Sequence, residues 1–143
     1  MAGITDPMGT IVTWLKASVL PSGARLTAMD ADYIDSLGAN SGGKIDGEWF
    51  WRVASMNPNQ DDLNTYRSAF TVELSGVWST SGDAKQISRI ARVVLGVARR
   101  LESAPIPEGV DSVQITESVP WEDRFGLTIV AIPFGFQCEI EVD

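Results

Sequence analysis

DAKQISRIARVVLGVARRLE, residues 83–102, reads as one amphipathic helix whose two sides differ in kind. At about 100° per residue, Ile87, Ile90, Ala91, Val94, Ala98 and Leu101 fall together on one side. Lys85, Arg89, Arg92, Arg99 and Arg100 fall within roughly 100° of arc on the other. Asp83 is a good N-cap, because its carboxylate can accept from an otherwise unpaired N–H of the first turn. An apolar stripe of this kind needs a layer beneath it, and the rest of the chain supplies strands for that layer.

The same stretch carries the sharpest charge contrast in the sequence. It holds five of the eleven basic residues and two of the nineteen acidic ones, a net +3. The remainder carries six basic and seventeen acidic residues, −11, within an overall charge of −8. A surface this acidic repels nucleic acid, so no specific nucleic-acid binding is expected. A protein partner, including another copy of the chain, suits the basic stripe better. The stripe also contains Gly96, where a helix former would be expected, which suggests a close approach by another chain or by a loop of the same one.

At 143 residues and 44% hydrophobic, the chain is long and apolar enough for one domain with its own core. There is no His, which removes the commonest general base and the commonest metal ligand. Cys138 is the only Cys, so neither an intrachain disulfide nor a Cys-based zinc cluster can form. The N-terminus lacks a basic region followed by an apolar one, so no signal peptide is expected. The longest apolar run, residues 127–134, is far too short to span a membrane.

Upstream, Asp6 and Pro7 mark the start of a first helix. Met8, Ile11, Val12, Leu15 and Val19 follow helical spacing, and Pro21 and Gly23 stop it. Residues 21–46 read as a long connection, with a weak helical turn at 30–37. Residues 48–54 form a strand with Trp49, Trp51 and Val53 on one face. Residues 55–65 read as a polar loop or hairpin tip. Residues 66–78 form a long strand with Phe70, Val72, Leu74 and Trp78 alternating against Thr71, Glu73 and Ser75. Downstream, residues 111–119 form a strand, 120–126 a turn, and 127–142 a strand broken or bulged at Pro133. The resulting expectation is an α+β fold over residues 1–143. An antiparallel or mixed sheet of about four strands carries two main helices, in the order α-β-β-α-β-β.

Candidate chemistry is sparse. Asp30, Asp32 and Asp35 miss the calcium-loop pattern, because Ile34 and Ser41 fall at ligand positions. Asp61 with Asp62, and Glu122 with Asp123, are adjacent turn residues that point into water. Gly38, Gly42 and Gly43 lack the strand and helix that flank a phosphate loop. Ser79, Thr80 and Ser81 have no His to act as base. No catalytic, metal or cofactor site is therefore expected. Trp49, Trp51 and Trp78 belong in the core, whereas Trp121 lies in a charged turn and suits an interface.

Three features together resemble the tail terminator (tail completion) family of long-tailed bacteriophages. They are the capped N-terminal helix, the long strand at 70–78 feeding the helix at 83–102, and the closing strands VQITESVPWEDRFGLTIVAIPF at 113–134. The resemblance implies a non-enzymatic virion protein of the tail or neck, assembled in the host cytoplasm. Such proteins form a ring, commonly a hexamer, on the last tail-tube ring. They halt tube growth and present the surface that joins the head. Implied partners are further copies of the chain, the tail tube protein and a head–tail connector protein. The candidate contact residues are Lys85, Arg89, Arg92, Arg99, Arg100 and Trp121 on one surface, and Glu139 and Glu141, with Asp143, on another. Another neck, adaptor or minor tail protein is the alternative, followed by a small ligand-binding domain or enzyme.

Overall fold

A computed structural model of the chain describes residues 3–30, 44–60, 65–80, 82–124 and 126–142, with only the backbone of Gln60. The first helix starts as its sequence requires. Asp6 accepts from the N–H of Gly9 at 3.0 Å, and Pro7 occupies the first turn, where its missing N–H costs nothing. Helix α1 (Pro7–Trp14) then widens into one π-helical turn, Leu15–Val19, closed by Leu20 N donating to Leu15 O at 2.8 Å. Ile11, Trp14, Leu15, Val19 and Leu20 are all buried along this segment. Trp14 Nε1 donates to Pro105 O at 2.8 Å, which ties the segment to the chain just past the second helix.

The strands are β1 (Leu26–Ala28), β2 (Asp46–Gln60), β3 (Thr65–Ser79), β4 (Val110–Ile115), β5 (Trp121–Arg124) and β6 (Leu127–Glu141). Helix α2 (Ala84–Ser103) lies between β3 and β4 in sequence. The sheet order is β1-β2-β3-β6-β4, with β5 also paired to β6. Only β1 with β2 is parallel among the strand pairs, so the six-stranded sheet is mixed. This overturns the expectation of about four strands in the order α-β-β-α-β-β. Both unforeseen strands are short. Leu26–Ala28 is too brief to display a period of two, and Trp121–Arg124 is exposed throughout and so shows no alternation. Both exist because a long neighbour offers backbone groups to pair with.

The same reason extends β2. Residues 55–60, expected as loop, continue the ladder to β3, from Ser55 opposite Thr71 to Gln60 opposite Tyr66. Strand β6 has no break at Pro133. Its register against β3 runs without a shift from Leu127 to Glu141. Its other edge is shared by β5 at 127–130, β4 at 134–138 and Ile4 opposite Ile140. Pro133 lies where that edge passes from β5 to β4. Its carbonyl accepts from Thr116 N there, so the missing N–H costs no strand-to-strand bond.

One core lies between the sheet and the helices. Trp49, Phe70, Val72, Leu74, Trp78, Val130, Ile132, Phe134, Phe136 and Cys138 meet Ile11, Leu15, Ile90, Val94, Val97 and Leu101 there. A smaller cluster on the opposite sheet face joins Ile45, Phe50, Val77, Leu127 and Ile129, with Met29 against it. The helix-bearing face therefore holds most of the apolar material, and the back face is apolar at one end only.

Candidate assembly surface

Helix α2 presents three sides. Ile90, Val94, Val97 and Leu101 are buried against the sheet. Relative to the pattern read from sequence, the inward side is turned by roughly 30°, so Val97 enters the core and Ile87 leaves it. Two arginines on the flank nearest β1 and β2 match this turn. Arg89 Nη2 pairs with Asp46 Oδ1 at 2.7 Å, and Arg100 Nε donates to Val19 O at 2.6 Å. The second bond gives a positive donor to a carbonyl at the end of the π turn.

The basic stripe is thereby divided. Arg89 and Arg100 are engaged within the molecule. Lys85, Arg92 and Arg99 are exposed and have no ion-pair partner among the described residues. Glu139 and Glu141 alternate with Cys138 and Ile140 along β6, which puts them on the back face, away from α2. Glu139 lies 3.7 Å from Arg67, which also pairs with Asp111, whereas Glu141 has no cationic partner among the described residues. Trp121 belongs to β5 rather than to a turn. It stands opposite Val130, so it points to the helix-bearing face, and it remains 40% exposed.

The third side of α2 escaped the sequence reading. Leu95 is 67% exposed and Ile87 is 48% exposed, with the partly buried Ala91 and Ala98 beside them. The spacing 87, 91, 95, 98 is that of a second apolar seam, and it was the available signal. Gly96 lies on the opposite flank, in an open groove lined by Lys16, Arg92 and Arg100 and by the chain around Pro21. The atoms nearest a Cβ at Gly96 are those of Arg100 on the same helix, neither another chain nor a loop. A Cβ there would stand 3.4 Å from Arg100 Nη1, an ordinary contact. Gly96→Ala should therefore stabilise the protein by about 0.5–1 kcal/mol, read as a higher midpoint in urea.

The remaining candidates separate. Glu122 and Asp123 point to opposite faces of β5. Asp123 accepts from Thr128 Oγ1 at 2.7 Å and from Thr80 Oγ1 at 3.4 Å, while Glu122 lies 3.9 Å from Arg124. Ser79 Oγ accepts from Ile45 N at 2.7 Å, a structural role. Asp32, Asp35, Gly38, Gly42, Gly43, Asp61, Asp62, Ser81 and Asp143 lie outside the described residues. Among the described residues, no three His, Cys, Asp or Glu gather where they could hold a metal ion, and no helix is long and apolar enough to cross a membrane. Comparison with known protein families and with characterised proteins finds no match.

Proposed function

We propose that this chain is a ring-forming structural subunit of a bacteriophage tail, of the tail terminator kind. One observation carries the assembly part of this reading. Among the described residues, Lys85, Arg92 and Arg99 on the outward side of α2 have no ion-pair partner, and Glu141 lies on the opposite face of the sheet. Complementary charges on opposite faces of one molecule favour heterologous contact between copies, and a heterologous contact that closes produces a ring. The capped first helix, the long strand feeding α2 and the closing strands that carry Trp121 support the tail terminator part. In that role the ring would cap the tube and offer its other side to the head.

The test uses Arg92 and Arg99, because Arg89 already pairs with Asp46 of its own molecule, so reversing it would change a contact within the copy as well as between copies. The double variant Arg92→Glu with Arg99→Glu should keep its circular dichroism and melting behaviour while its sedimentation shifts to smaller species. An unchanged sedimentation profile would sink the charge-paired ring. Electron cryo-microscopy of tailed particles then decides the location. Density at the head-proximal end of the tube supports a terminator, and density elsewhere in the neck or tail rejects it.

A further inference from the structure

The groove between α2 and the π turn holds cations that nothing in it balances. Lys16, Arg92 and Arg100 line it together with the apolar Leu20, Pro21 and Val93, and among the described residues no Asp or Glu does. The neighbouring cleft differs, because its Arg25 and Arg89 are paired with Glu48 and Asp46. Lys16 and Arg92 are exposed and have no ion-pair partner among the described residues. Arg100 is fixed by the bond from its Nε to Val19 O. That bond leaves Nη1 and Nη2 without a hydrogen-bond partner among the described residues, and Gly96 beside them puts no side chain over the fork. A guanidinium held in this way can take a carboxylate with two parallel bonds.

The chain also carries a surface that matches the groove in both charge and apolarity. ESAPIPE, residues 102–108, leaves the end of α2 with Glu102 and Glu108 exposed and without a cationic partner among the described residues. Ile106 between them is 45% exposed. Pro105 and Pro107 fix φ on either side of it, and Pro105 O accepts from Trp14 Nε1 at 2.8 Å. The segment is thus held in shape before it binds and loses little conformational freedom on docking. Groove and segment both belong to the helix-bearing layer, but they lie on opposite sides of α2. Glu102 is about 200° around the helix from Arg100. The segment leads into β4 and the groove into β1, at the two borders of the sheet. No residue of 102–108 lines the groove of its own molecule. Resting on the ring reading above, we propose that segment 102–108 of one copy docks into the Lys16–Arg92–Arg100 groove of the next. Glu102 and Glu108 meet the cations there, and Ile106 meets the apolar lining.

Reciprocal charge reversal in the full-length chain tests this pairing. One variant carries Lys16→Glu with Arg92→Glu, and the other Glu102→Arg with Glu108→Arg. All four residues are exposed, so both variants should melt close to the parent. Each alone sets like charges against each other and should need a concentration at least ~10-fold higher for half-assembly, read by sedimentation. An equal mixture should reassemble, because each groove then finds a segment of opposite charge on the other variant. A purely structural effect of the substitutions would not be undone by mixing. If the parent assembles and the mixture does not recover, or if only the groove reversal acts, the segment is not the occupant and the pairing is wrong while the ring reading stands. Recovery to a closed dimer keeps the pairing and rejects the ring. A parent that sediments as a monomer throughout overturns both.

Discussion

Gly76→Ala should destabilise the fold by about 1–3 kcal/mol, and Gly76→Val by more, although glycine in the middle of a strand is ordinarily a weak choice. Gly76 lies on β3 opposite Trp49 of β2, two residues before Trp78 on the same face. The two indoles cover it, with centroids 5.6 Å apart and planes at 82°. A Cβ at this position would stand 2.5 Å from Cη2 and 2.7 Å from Cζ3 of Trp78, and 3.0 Å from Cη2 of Trp49. Neither ring has room to yield, since both are almost completely buried in the main core. The substitution must therefore force the indoles off their rotamers or push the strands apart. A fall in melting temperature on the order of 4 °C per kcal/mol is expected for a domain of this size. A double-mutant cycle isolates the cause. Trp78→Phe removes the outer ring atoms that meet the new methyl, so alanine at 76 should cost less in that background than in the parent. Equal costs in the two backgrounds would locate the strain elsewhere.

The same pair of tryptophans marks what the chain reveals about itself before folding. Trp49, Trp78, Phe134 and Phe136 are placed by alternation alone, because long strands buried on one face repeat every second residue. Asp6 and Asp83 act as caps through chemistry that is local in sequence. The two short strands are different. Leu26–Ala28 and Trp121–Arg124 take their conformation from the edges of β2 and β6, and an edge is a property of the folded sheet. The α2 surface is divided in the same way. Its five cations were legible as one stripe, but Asp46 and the carbonyl of Val19 claim two of them from distant parts of the chain. Leu95, the most exposed large apolar side chain of the helix, belongs to neither of the two sides read from the sequence.

Cys138 should react with a maleimide or disulfide reagent at least ~100-fold more slowly in the native protein than in denaturant at mildly alkaline pH. Two effects combine. Burial pushes the thiol from its ordinary value of 9.0 up to about 11, and the Asp111 carboxylate adds to this against a smaller opposing effect of Arg67. A rise of that size leaves roughly a hundredth as much thiolate at any pH below the ordinary value. The side chain is also fully buried among Phe136 and its neighbours, so the reagent must wait for an opening. Labelling should thus track global unfolding, and Gly76→Ala should accelerate it in proportion to its loss of stability. The proton linkage has a definite sign. The folded state keeps the thiol proton up to about pH 11, whereas the unfolded chain releases it near 9.0. The contribution to stability is fully present below the unfolded value and is lost as pH rises from about 9 to about 11. Urea unfolding below and within that window should therefore show a steeper alkaline loss for the parent than for Cys138→Ala. Parallel curves for the two proteins, or native labelling as fast as in denaturant, would mean that β6 opens locally at Cys138 and that the thiol is not held in the core.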